Sequence, residues 1–133
     1  MMKLWKNIDI AILDSLPNTA VGYEQRIRIP EFTFLGKHKQ PDFGSITLWF
    51  YGQDKTIELK SLKNYIFQYR DTVISYERCI DVLYKHLMQT YQPVRLRVQI
   101  DFQPRGGISS CMTADSDWGH LGGSDKLWQN HKD

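Results

Sequence analysis

Apolar and polar positions alternate most strictly near the end of the chain. Val94, Leu96, Val98, Ile100 and Phe102 interleave there with Arg95, Arg97, Gln99, Asp101 and Gln103. A period of two marks a strand with one face on a core and the other toward solvent or a partner. The same period sets Val21, Tyr23, Ile27 and Ile29 against Glu24, Arg26 and Arg28, in a strand that Pro30 should stop. It returns over Ser45–Tyr51, where Ile46, Leu48 and Phe50 share one face. Residues 31–43, with Gly36 and Pro41, read as a loop, and Gly52–Lys55 as a turn before a short extension of sheet at Thr56–Glu58.

The spacing then changes to that of a helix. Leu62, Tyr65, Ile66 and Tyr69 form one stripe. After a break at Asp71-Thr72, Tyr76, Ile80, Leu83 and Leu87 form a second, flanked by Cys79 and Tyr84 and ended by Pro93. Pro104-Arg105-Gly106-Gly107 is a turn into a last strand over Ile108–Thr113. The order of two strands, two helices and two strands predicts an α+β domain over residues 21–113, a four-stranded antiparallel sheet with both helices on one face. Residues 1–20 read as a peripheral arm, with an apolar cluster from Ile8 to Leu16, and residues 114–133 as a polar tail. Such a sheet has open edges, which edge-to-edge joining of several copies into a ring would cover.

Composition narrows the partners. The net charge of +2 on 133 residues is too small to point to nucleic acid or an anionic membrane. Two cysteines, Cys79 and Cys111, lack the C-x-x-C spacing, so neither a disulfide framework nor a zinc ribbon is expected and a reducing, cytoplasmic setting is. His38, His86, His120 and His131 are scattered, and no metal site is expected. Aromatic residues at 13%, with Trp5, Trp49, Trp118 and Trp128, are many for this length and suit a core, a stacking site or a subunit interface.

The segment Glu58-Leu59-Lys60-Ser61-Leu62-Lys63-Asn64-Tyr65 carries the first candidate chemistry. It brings a carboxylate, a hydroxyl and two lysines to the start of a helix, where the helix dipole favours anions such as phosphate. With Pro30-Glu31-Phe32-Thr33, Gln40-Pro41-Asp42-Phe43, Arg70, Ser75-Tyr76-Glu77 and Pro104-Arg105-Gly106-Gly107-Ile108-Ser109, this segment resembles, in order, motifs of the tunnelling-fold NADPH-dependent 7-cyano-7-deazaguanine reductases (QueF). The likeness runs over about residues 21–110. Asn64 and Tyr76 depart from it, the latter standing where the family usually has histidine.

The resemblance implies reduction of a nitrile to a primary amine by two hydride transfers, in the pathway to the tRNA base queuosine. It implies NADPH as cofactor and a purine-like small molecule as substrate. In that family a cysteine adds to the nitrile carbon, an aspartate supplies a proton, and a glutamate grips the guanine-like edge. By position Asp42 is the proton donor, Glu77 with Tyr76 binds the substrate, and Glu58, Lys60, Ser61, Lys63 and Arg105 meet the cofactor. The nucleophile's position is Gly36, in a loop one residue shorter than usual, and glycine offers no atom to bond to the nitrile. Three functions therefore stand open: a divergent nitrile reductase, a binding protein for a purine or deazapurine, and a purine- or pterin-directed activity that needs only proton transfer.

Overall fold

The computed structural model describes residues 3–125; Trp128 and His131 of the sequence reading lie outside the described residues. Its strands and helices are β1 (Lys3–Leu4), β2 (Ser15–Pro17), β3 (Gln25–Leu35), β4 (Pro41–Tyr51), β5 (Lys55–Ile57), α1 (Leu59–Phe67), β6 (Thr72–Val73), α2 (Tyr76–Tyr91), β7 (Arg95–Arg105) and β8 (Ile108–Asp115). The main sheet has six strands in the order β1-β6-β3-β4-β7-β8, rather than the expected four, and β2 pairs with β5 in a separate two-stranded sheet. The four long strands are antiparallel neighbours, while β1–β6 and β6–β3 are parallel. The extra strands are two residues each, too short to show as an alternating pattern.

The largest departure from the sequence reading is the first hairpin. Pro30 does not end β3; the strand continues to Leu35, and β4 begins at Pro41. The register shifts between Ile29 and Phe32, so that Pro30 and Glu31 form a bulge. A bulge is where a residue without an N–H can sit inside a sheet. The expected loop of residues 31–43 thus contracts to a tight turn, in which Gly36 N donates to Gln40 O (2.8 Å) and Lys39 N to Gly36 O (2.7 Å).

The inward residues of the sheet, among them Phe32, Phe34, Ile46, Leu48, Leu96, Val98 and Ile100, pack against Leu62, Tyr65, Tyr69, Leu83 and Leu87 of the helical layer. The segment read as an arm joins this core through Ile8 and Leu13. Its backbone is held at Asp14, whose N–H donates to Ser61 Oγ (2.9 Å) and whose carbonyl accepts from Tyr91 Oη (2.6 Å).

The polar face of β7 is not open along its length. Arg95 and Arg97 are buried, with Asp115 at the end of β8 between them. Asp115 accepts from Arg95 Nε (3.1 Å) and Nη2 (2.5 Å), and from Arg97 Nη1 (3.2 Å). Trp49 and Trp118 lie 5.5 and 5.9 Å from the Arg97 guanidinium. Part of the tail therefore folds back over the sheet, and the solvent- or partner-facing role expected for both arginines gives way to an ion pair within the chain.

Candidate functional site

The tightened hairpin positions the site. Gly36 and Gln40 are its turn, Asp42 follows on β4, and a cleft of about 300 Å3 opens beside them, walled by Ile74, Tyr76 and Arg105. Tyr76 opens α2, with Ser75 as N-cap accepting from Arg78 N at 3.1 Å. The Tyr76 ring stacks on Phe102 (4.3 Å, 11°) and meets Phe34 edge-on (5.6 Å), which gives the cleft a fixed aromatic wall. Burial, then the nearby Asp42 carboxylate, pushes the Tyr76 phenol upward, so it stays a neutral donor at ordinary pH.

Asp42 is only 3% exposed. Gln40 Nε2 donates to its Oδ2 at 3.1 Å, and Arg105 Nε lies 3.1 Å from Oδ1. What crowds position 36 is neighbouring side chains, not backbone angle. A Cβ built there would lie 2.9 Å from Gln40 Cδ and closer still to Gln40 Nε2 and Asp42 Oδ2. The volume a side chain at 36 would fill is taken by the Gln40 amide. Gln40, which the sequence reading used only as part of a motif, is thus the residue that reshapes the site. The signal for it was the pairing of a missing side chain with a shortened loop.

Neither cysteine is placed to serve as the nucleophile that the resemblance assigns to position 36. Cys79 is buried on α2 with its thiol pushed up by desolvation, then by Glu77 and Asp42. Cys111 is exposed on β8 opposite Asp101, where burial and that carboxylate raise its thiol to about 11. A thiol that titrates so high is a poor nucleophile near neutrality.

The residues assigned to the cofactor are not gathered in this cleft. Glu58 caps α1, accepting from Lys60 N (2.9 Å) and Ser61 N (2.8 Å), and those backbone hydrogen bonds lower its carboxyl pKa. The Ser61 hydroxyl is turned inward, accepting from Asp14 N and donating to Glu58 O at 2.8 Å. The amides and hydroxyl expected to meet a phosphate are therefore engaged in the fold, while Lys60 and Lys63 are exposed. Lys63, with Leu59, Ile66 and Phe67 of α1 and Ile29 of β3, borders a separate apolar groove of about 310 Å3. Arg105 joins Asp42 instead of this group. Glu77 is exposed in the first turn of α2, one residue past Tyr76 of the cleft wall. Among the described residues, no group of three or more His, Cys, Asp or Glu is placed to hold a metal ion.

Comparison with known proteins speaks to the family and the fold. Residues 41–119 match the family described as QueF-like protein. The chain is 37% identical over 105 residues to the NADPH-dependent 7-cyano-7-deazaguanine reductase of Chlorobaculum parvum, covering 77% of this chain and 90% of that protein. It is 34% identical over 113 residues to the enzyme of the same name from Gloeobacter violaceus, covering 80% of each. In fold it is similar to the archaeosine synthase QueF-Like in its apo form, with a TM-score of 0.62 at 16% identity over 69% of this chain and 91% of that one. On the extent of these matches, together with the ordered motifs around Asp42, Glu58 and Arg105, the chain belongs to the QueF-like family.

Proposed function

We propose that this protein binds a 7-deazaguanine-type ring, the ligand class its reductase relatives are named for, without the covalent step that nitrile reduction through a thioimide requires. The observation that carries this reading is the Gln40 amide lodged in the space a side chain at position 36 would need, against the buried Asp42. Loss of an activated nucleophile removes many orders of magnitude of rate. The aromatic wall at Tyr76 and the polar pair at Asp42 still suit a flat, hydrogen-bonding ring. Glu77 is the acid to take the ring N–H and exocyclic amine together, since two carboxylate oxygens match two adjacent donors. Because Glu77 faces outward, this clamp requires a surface from another copy, in keeping with a tunnelling-fold ring assembled through sheet edges.

NADPH, which the relatives' names specify, supplies hydride when bound. Of the residues assigned to it, Lys60 and Lys63 fit phosphate groups by charge and exposure; Glu58, Ser61 and Arg105 are engaged elsewhere. Reductase activity therefore remains the second reading, favoured by those two lysines beside the apolar groove.

The two readings separate in one experiment. The purified protein is incubated with 7-cyano-7-deazaguanine and NADPH, with NADPH absorbance, intact mass and ligand binding followed together. The expected outcome is measurable binding, no loss of NADPH and no mass increase from an adduct. NADPH oxidation with release of the aminomethyl base would overturn the proposal in favour of reduction.

A further inference from the structure

We infer that Trp5 of the N-terminal segment, acting through Arg78 and the paired strands β1 and β6, is a positioning residue for the ring-binding side chains Tyr76 and Glu77. This deepens the reading above and rests on it.

The two residues of β6 lead straight into the cleft wall at Ile74, Ser75 and Tyr76. On the side of the main sheet this stretch is held by little. Its register with β3 is the single pair Leu35 and Val73, and Ile74 N–H donates to Leu35 O at 2.9 Å. The N-terminal segment supplies the other edge, where Lys3 pairs with Thr72 and Leu4 with Val73 in parallel. β6 is therefore an inner strand only because β1 lies outside it. A stretch with so few backbone bonds sits at the low-stability end of a structure unless both its edges are paired.

Directly after β1, Trp5 opens a short 3-10 turn, and its ring lies 4.2 Å from the Arg78 guanidinium. Of the aromatic faces, an indole holds a cation best. Arg78 belongs to the first turn of α2, next to Glu77, and its N–H donates to the Ser75 cap at 3.1 Å. One turn thus carries both ring-binding side chains and the guanidinium that Trp5 grips. Asp81 also meets Arg78, at 3.8 Å, but as an exposed pair it contributes little.

The rest of the N-terminal segment is fastened independently. Asp9 N donates to Gln68 Oε1 (2.7 Å) and Gln68 Nε2 to Asp9 O (3.1 Å), while Ile8 and Leu13 are buried. Loss of the indole is therefore felt at the cleft, with the remainder still docked. A stretch ordered before the ligand arrives spares the cost of ordering it on binding. A site competent for only a tenth of the time binds about tenfold more weakly.

The test measures binding of 7-cyano-7-deazaguanine by calorimetry to the full chain and to Trp5→Ala, Trp5→Phe and Arg78→Gln. Trp5→Ala is expected to weaken binding about tenfold, and Trp5→Phe, which keeps a ring over the guanidinium, to recover most of that loss. Arg78→Gln should weaken it several-fold; its side chain is 45% exposed, so the core is left intact. In hydrogen exchange, the amides of residues 73–78 should lose protection in Trp5→Ala while those of Asp9 and Asp14 keep theirs. An indole that only fills the core would lower stability in urea and leave affinity unchanged. Parent-like affinity in Trp5→Ala or Arg78→Gln, or Trp5→Phe binding as weakly as Trp5→Ala, overturns this inference while ring binding stands. Failure of the parent to bind the base overturns ring binding itself, and this inference with it.

Discussion

At residue 36 the chemistry of the family and the packing of this chain meet. A thiol there would need the volume held by the Gln40 amide, and Gln40 is held in turn by the turn hydrogen bond Gly36 N–H to Gln40 O and by its bond to Asp42. Restoring the sulfur alone therefore moves the amide rather than rebuilding a reactive site. Gly36→Cys is expected to show no thioimide mass and no NADPH oxidation with the nitrile base, because a displacement of about 1 Å is enough to cost on the order of a hundredfold in rate. Gly36→Cys combined with Gln40→Gly clears the space and is the variant in which an adduct should first be detected. An adduct in the single variant at a rate similar to that of the double would show that the amide yields freely, and would remove the steric argument. That Gly36 lacks a nucleophile was visible in the sequence; what fills its place was not, since a side chain's direction at a tight turn depends on the turn being formed.

Elements were legible over most stretches where their period held, although Val21 and Tyr23, read on one face of the first strand, precede β3 and are exposed. Both helices and the inward residues of β4 and β7 appear where the alternation and the helical stripes place them. The reading failed where one local signal hid a tertiary one. Pro30 suggested a strand end, but the bulge absorbs it. Alternating arginines on β7 suggested an open face, yet their partner Asp115 lies eighteen residues beyond Arg97, at the end of a different strand. Only pairing in register brings them together. This buried cluster sets the cost of undoing the C-terminal fold-back. Asp115→Ala would leave two buried guanidinium groups without their carboxylate, and is expected to destabilise the protein by about 3–5 kcal/mol in urea unfolding. Burial pushes the Asp115 carboxyl up, but hydrogen bonds from Arg95, from the Asp117 amide and from Arg97 outweigh it and hold the pKa below the usual value. A pKa lower in the folded than in the unfolded chain stabilises the fold above the ordinary aspartate value, about pH 4, and that stability is lost as pH falls through the folded value. Thermal melting from pH 6 down to pH 2 should show a loss below pH 4 that Asp115→Asn does not share. A variant whose profile parallels the parent would assign the acid sensitivity to other carboxylates.

For the whole molecule, the unpaired strand edges decide what the chain does next. β8 has β7 on one side and, among the described residues, no strand on the other, and Ile108 there is 76% exposed. At the opposite end, β6 reaches β3 only at Leu35, so the outer edge of β3 from Gln25 to Phe34 has no strand beside it among the described residues. The two open edges differ in length and sequence, so in the proposed assembly pairing between them would be head-to-tail and would repeat until a ring closes. Such pairing would set each β8 beside the groove formed by β3 and α1, where Lys63 lies, and would bring a neighbour's surface into reach of residues that one chain leaves facing outward. The expected outcome is a closed oligomer larger than a dimer in sedimentation at micromolar concentration. The outward amides of Ile108–Asp115 and of Gln25–Ile29 should gain hydrogen-exchange protection together as the protein assembles. Protection of one edge without the other would indicate a two-fold dimer through like edges. A monomer whose two edges exchange freely across that range would leave Glu77 with no second surface, and the ring clamp would have to be sought within a single chain.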